Sequence, residues 1–259
     1  MKNIYIYFRS LWVNRIKPLK ALRALKALAE NKEDTEQVFH VINAMGGSSR
    51  KYLNMFKKSD VGKKVLKKKI NLIDTLKNKE YLSKLPEDSL GKNYYNFIYK
   101  ESLTPDELVS ASEIYSDPNK TEEENIFHTR LRDMHDLWHV TTGYGRDALG
   151  ELSLLAFTYA QDRNRGIGAI TLYGYHIMGK VTKELNFSVD LREVVKEGYR
   201  LGKAAPFWGC ADWENLLEKP LHIVREELKA GNPILYKKII KEFSDKEKKH
   251  SQVEAQVAA

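Results

Sequence analysis

The sequence predicts an all-α protein, a single compact multi-helix domain of about ten helices, and three observations carry that prediction. Strand signals are scarce: the chain has no Asn-Gly or Asp-Gly hairpin turn and no sustained period-two run between turn residues. Helix starts are plentiful, among them two capping boxes. Hydrophobic residues make up 42% of the 259 residues and charged residues 30%, a balance that fills a core and still dissolves, which excludes wholesale disorder.

Three regions are expected along the chain. Residues 1–48 read as basic N-terminal helices. Their first 29 residues contain no acid and mix Ile4, Tyr5, Ile6, Phe8, Leu11 and Trp12 with Lys2, Arg9, Arg15, Lys17, Lys20, Arg23 and Lys26. Rings beside lysine and arginine suit an interfacial helix, because the rings sit at headgroup level. Two short helices separated by Pro18 are expected, lying on a membrane or covering the body of the protein. The stretch lacks the apolar block of a secretory signal. With a single serine and many lysines it reads as mature protein rather than a transit peptide.

Residues 49–244 form the expected helical metal-site domain. Thr104-Pro105-Asp106-Glu107 is a capping box with proline at the first helical position, and Thr121-Glu122-Glu123-Glu124 is another. Asp190 or Ser188 caps a helix through Arg200, and Pro220 begins one through Ala230 with Leu221, Val224 and Leu228 on one stripe. Residues 245–259 are polar and end in alanine, and a frayed, flexible tail is expected there.

Charge is unevenly placed. The net charge is +8, yet residues 1–70 hold 17 Lys/Arg against 5 Asp/Glu, which leaves the remainder mildly acidic. Such a basic part is a solvated lysine-rich face or a surface that meets membrane phosphates or nucleic acid. Nothing resembles a base-reading module, so no nucleic acid is expected. No run of about 18 apolar residues exists to span a bilayer. With one cysteine, Cys210, neither an intramolecular disulfide nor a multi-cysteine zinc cluster can form, so any metal must rest on histidine and carboxylate.

His135-Asp136-Leu137-Trp138-His139 supplies such a set. The helix opening at Thr121 is expected to run through it. His135 and His139, four apart, rise on one face and can chelate one ion. Asp136 lies about 100° round the helix, either as a third ligand or holding a histidine in its tautomer from behind. Gly143, Gly145 and Gly150 then turn the chain, and Glu151 in the first turn of the next helix can face back. Two imidazoles and two carboxylates suit zinc, iron, manganese or cobalt better than calcium. Aspartate at position 136 departs from the zinc-peptidase pattern. An HD-type phosphohydrolase needs His128 and Asp212 as further ligands, a choice the spacing does not force. Arg130 or Arg132 pairs with a substrate carboxylate or a ligand carboxylate, or else is a surface or capping residue; Asp133 reads as a neighbour on the helix surface. Residues 151–181 offer Leu155, Phe157, Tyr159, Ile167, Ile170, Leu172, Tyr173, Ile177 and Met178, with Gly166, Gly168, Gly174 and Gly179 among them. This is either an apolar slot or a plain core helix pair. Trp208 and Trp213 are expected in the core, and Cys210 as a buried thiol.

His135-Asp136-x-x-His139, eleven residues, then Glu151 resembles the hallmark of the Coq-four family of ubiquinone-biosynthesis proteins. Gly91 with Tyr94, Tyr95 and Phe97 is similar to a helix start of that family. Gly198-Tyr-Arg200-Leu-Gly202 with Pro206, Trp213-Glu214 and Pro220-Leu221 is similar to its C-terminal helix pair. The resemblance implies an all-helical protein, often a homodimer, with a divalent metal on His135, Asp136, His139 and Glu151. Zinc is the metal most often assigned in the family. It implies oxidative removal of the C1 carboxyl of a polyprenyl-hydroxybenzoate. Arg132, three residues before His135 and on or near the same face, is read from its position as a catalytic residue beside the four ligands. It also implies isoprenoid-lipid binding and a scaffold role towards the other quinone-biosynthesis enzymes. Two further readings stand beside catalysis: a non-catalytic scaffold of the same pathway, and an unrelated metal hydrolase. The expected location is cytoplasmic and peripheral at the inner face of an anionic membrane, or the matrix side of the mitochondrial inner membrane in a eukaryote.

Overall fold

The computed structural model describes residues 16–31, 34–46, 50–99 and 121–257. The apolar residues Ile4 to Trp12 and the capping box at Thr104 lie outside the described residues. Within them the chain is all-α. The helices are α1 Pro18–Glu30, α2 Thr35–Met45, α3 Arg50–Lys58, α4 Asp60–Lys68, α5 Leu72–Leu76, α6 Lys79–Ser83 and α7 Leu90–Tyr99. After them come α8 Glu122–Asp133, α9 His135–Thr142, α10 Ala148–Asp162, α11 Arg165–Leu185 and α12 Leu191–Ala204. A 3-10 turn at Trp208–Cys210, then α13 Trp213–Leu216, α14 Leu221–Glu227 and α15 Ile234–Val257 complete the order. No β-strand forms among the described residues; Ser89 and Pro220 make one isolated antiparallel bridge. The elements outnumber the expected ten because several, such as α5, α6 and α13, are only one turn long.

Side-chain caps start the helices that matter. Thr121 and Glu124 close a reciprocal capping box on α8. Asp147 accepts from the Leu149 and Gly150 amides at 3.1 and 3.0 Å to open α10. Asn164 does the same for α11, and Asp190 for α12. Pro18 sits in the first turn of α1, where its missing amide costs nothing. The polar stretch from Asp245 continues α15 to Val257.

The centre of the fold is α10 laid against α12. Gly198 and Gly202, four residues apart, face that contact. A Cβ at Gly198 would sit 2.3 Å from the Ser153 carbonyl oxygen, and one at Gly202 would sit 2.4 Å from that of Phe157. Only glycine lets the two backbones come this close. Under them lies an aromatic cluster. The Trp208 ring is 4.6 Å from Phe157, 5.5 Å from Trp138 and 5.9 Å from Trp213, centroid to centroid. Trp208 and Trp213 are fully buried, as expected. Trp138 anchors α9 to this cluster, which leaves His135 and Asp136 on the outward side of that helix.

The α1–α2 hairpin packs on α11 through its own small core of Ala24, Leu25, Val41 and Ile170. The glycines of residues 151–181 serve close packing rather than a slot. Cβ atoms at Gly166, Gly168 and Gly174 would collide with Ile42, Tyr159 and Leu152. Phe157 and Ile170 are buried, while Leu172 faces outward.

Candidate metal site

The helix expected to run unbroken from Thr121 is interrupted at one residue, Met134, with φ −75° and ψ −11°. The amide of Met134 still bonds the Arg130 carbonyl at 3.1 Å, and Trp138 bonds Met134 at 3.0 Å, so the hydrogen-bond ladder bridges the break. Gly143, at φ +83°, ends α9 in the left-handed conformation. Arg225 of α14 caps the same end, donating through Nε to the Thr141 carbonyl at 3.0 Å and through Nη2 to that of Val140 at 3.1 Å. The orphan carbonyls of a helix end are thereby satisfied from a distant element.

The turn of residues 143–147 brings α10 back beside α9. The Tyr236 hydroxyl of α15 accepts from the Gly145 amide at 2.8 Å and donates to the Asp147 carboxylate. Glu197 of α12 holds the start of α15 in turn, accepting from the Leu235 and Tyr236 amides at 3.0 and 3.3 Å. Asp147 is the cap of α10, so this latch sets where Glu151, in the first turn, points.

His135 Nε2 and His139 Nε2 lie 3.2 Å apart, with the rings perpendicular. Glu151 Oε2 is 3.5 Å from the first nitrogen and Oε1 is 3.3 Å from the second. The His139 Nδ1–H donates to the Tyr144 carbonyl at 3.0 Å, which turns its Nε2 towards the group. His135, Asp136 and His139 each offer a ligand atom within 4.8 Å of the others, and the group is able to hold a metal ion. Ligands about 2.0–2.1 Å from a tetrahedral ion are spaced about 3.3 Å from each other. The separations among His135, His139 and Glu151 fall at that value. The donor set, mixed N/O, suits a divalent transition metal or zinc.

Burial alone would raise the Glu151 carboxyl. Hydrogen bonds from His135 and His139 overturn this and hold it well below the usual carboxylate range. Burial likewise would lower His135, but the hydrogen bond and charge of Glu151, with Asp136, leave it raised. His139 is 1% exposed at its side chain, His135 26% and Glu151 37%. The group is therefore walled on one side and open on the other.

The structure assigns the two arginines singled out from sequence to other partners. Arg130 is buried and forms a bidentate pair with Glu214, at 2.7 and 2.8 Å, with a further bond to the Ala211 carbonyl. Arg132 engages Asp133 Oδ1 through Nε at 2.8 Å and Nη2 at 2.7 Å. Asp133 is not on the helix surface but buried, and burial raises its carboxyl although Arg132 opposes this. Asp212 pairs with Lys64 and Asn215, and His128 lies beside Phe127. Neither joins the metal-spaced group. Cys210 is partly buried, and burial raises its thiol.

Sequence reasoning named Phe97 only as part of a helix start and missed Arg146 altogether. Phe97 of α7 stacks on His139 at 5.4 Å and 27°. The Arg146 guanidinium lies over the Phe97 ring, 5.8 Å from its centroid. The one signal was position, since Arg146 stands in the turn between His139 and Glu151.

Fold and site together define an all-helical protein built round a histidine–carboxylate group. The family model of coenzyme Q (ubiquinone) biosynthesis protein Coq4 matches residues 13–233, and the chain belongs to that family. It is 28% identical over 199 residues to the mitochondrial ubiquinone biosynthesis protein COQ4 of Candida dubliniensis. That match covers 75% of this chain and 57% of the Candida protein. To the Aspergillus clavatus protein of the same name it is 26% identical over 191 residues, 74% of this chain and 64% of the relative. The chain thus spans little more than half the length of the Candida relative. A crystal structure from Nostoc punctiforme PCC 73102, described only provisionally as a ubiquinone biosynthesis protein, superposes with a TM-score of 0.58 at 21% identity. It covers 84% of this chain and 100% of the Nostoc chain, a likeness of fold.

Proposed function

We propose that this protein acts in ubiquinone synthesis by holding one divalent ion on His135, Asp136, His139 and Glu151. There it removes the C1 carboxyl of a polyprenyl-hydroxybenzoate oxidatively. The observation that carries the reading is the convergence of two Nε2 atoms and the Glu151 carboxylate at metal-ligand spacing, with the His139 tautomer set by the Tyr144 carbonyl. A bound divalent ion supplies Lewis acidity at phenolic and carboxyl oxygens. The protein's own part is to fix the ligands, to wall off one side with Phe97, and to leave the His135–Glu151 side open to a ring. The net reaction replaces a carboxyl, lost as carbon dioxide, by a hydroxyl. It is a two-electron oxidation, so dioxygen or an equivalent oxidant is a co-substrate. The exposure of His135 and Glu151 favours catalysis over a purely structural ion, because structural sites are closed.

The long tail of such a substrate stays in or near the bilayer. Exposed Ile16, Leu19 and Leu22 beside Lys17, Lys20 and Arg23 suit contact with an anionic membrane surface. Among the described residues no helix is long and apolar enough to cross a membrane.

The test is metal content by elemental mass spectrometry, on protein purified without chelator or nickel, beside a His135→Ala/His139→Ala double variant. About one equivalent in the parent and none in the variant is expected. The parent alone should convert a polyprenyl-hydroxybenzoate under air. Metal without turnover would leave the scaffold role; no metal after reconstitution would sink the reading.

A further inference from the structure

We propose that Arg146 receives the carboxylate of the aromatic acid at this site, an inference that rests on the function proposed above. Arg146 Nη1 is buried and has no hydrogen-bond partner. Among the described residues no carboxylate lies within ion-pairing distance of it. A guanidinium donor shut away from water and left unpaired is costly. An anion arriving from outside the chain resolves that cost.

Its place fits such an anion. The guanidinium stands 5.8 Å over the Phe97 ring, and Phe97 stacks on His139. Its positive charge acts on the His135 imidazole. Arg146 thus stands beside the metal-spaced group, on the Phe97 ring that stacks on His139. Two neighbouring carboxylates are already engaged: Glu151 with both histidines, Asp147 with Tyr236 and the α10 amides. Of the other arginines near α9, Arg130 is bound to Glu214, Arg132 to Asp133 and Arg225 to the Thr141 and Val140 carbonyls. The planar fork of an arginine matches a carboxylate in two parallel bonds, and a ring bearing that carboxylate can lie along Phe97.

The experiment is calorimetric titration of the metal-loaded full chain with 3-prenyl-4-hydroxybenzoate and with 2-prenylphenol, which lacks the carboxylate. The parent should bind the acid roughly tenfold or more tighter than the phenol. Arg146→Gln should lose that preference while keeping phenol affinity, metal content and melting temperature. Arg146→Lys should keep part of it, as a point charge without the fork. If Arg146→Gln still prefers the acid, the proposal is overturned while the site's substrate reading stands. If the parent binds neither compound, that reading falls and the proposal with it. If both variants lose metal or melt early, Arg146 is a structural brace and the proposal is likewise refuted.

Discussion

Removing the Glu214 carboxylate tests how far the site helix depends on a partner 84 residues away. Arg130 stands in the last turn of α8, five residues before His135, and its side chain is 2% exposed while that of Glu214 is 20% exposed. Glu214 takes both Nη atoms; among the described residues the only other acceptor is the Ala211 carbonyl at 3.3 Å, and Nε has no partner. Glu214→Ala therefore strands a buried cation. Breaking such a pair costs about 3–5 kcal/mol. For a chain of this size each kcal/mol lowers Tm by about 2–4 °C, so a fall of at least 6 °C is expected. The double variant Arg130→Met/Glu214→Leu should recover most of this, because apolar residues of similar volume remove the stranded charge. The pair also carries a pH dependence. Burial would raise Glu214, but the hydrogen bond and charge of Arg130 leave it lowered. A depressed carboxyl contributes stability above its unfolded pKa, and that contribution is lost as the pH falls through the folded value. The parent should therefore lose, below about pH 4, stability that the double variant keeps. Urea denaturation of the single variants and the double, at pH 7 and pH 3.5, reads all of this. A single-variant loss under about 1 kcal/mol, or no rescue by the double, would refute the argument.

Three other outcomes follow from the geometry. Gly198→Ala places a methyl 2.3 Å from the Ser153 carbonyl oxygen, so α10 and α12 must separate. A loss of about 1–3 kcal/mol in urea unfolding is expected, and a neutral result would mean the contact is looser than described. Asp162 is buried at the end of α10, and burial pushes its carboxyl up to about 7 against backbone hydrogen bonds that lower it. The unfolded chain ionises it near 4, so the fold loses stability as pH rises from about 4 to 7. Asp162→Asn should gain on the parent over that window by at most about 4 kcal/mol in urea titrations; a pH-independent difference would contradict this. Tyr236→Phe deletes the bonds to Asp147 and the Gly145 amide, so metal affinity should fall about tenfold or more with little change in helix content. Unchanged affinity in a competition with a chelating dye would show that the latch does not position Glu151.

The histidine pair was legible because it needs nothing but the helix. Four residues in an α-helix bring two side chains to one face whatever surrounds them, and the structure sets their Nε2 atoms 3.2 Å apart. The caps at Thr121 and Asp190 were legible for the same reason, being bonds across three residues or fewer. The absence of strand periodicity likewise sufficed for the fold class. Long-range pairing was not legible. Nothing local tells Arg130 to seek Glu214 or marks Tyr236 as the hydroxyl that holds the 143–147 turn. The one-residue break at Met134 also escaped, because polarity and spacing alone do not register it.

What the sequence determined by itself is therefore the helical class, the ligand-bearing helix and the order in which histidines and glutamate follow. What tertiary structure decided is which arginine stands unpaired beside the group, which ring stacks on His139, and how near α10 approaches α12. Side-chain direction within a helix follows from covalent geometry. The partner that a side chain meets depends on how distant helices pack, and that packing is set by the core as a whole.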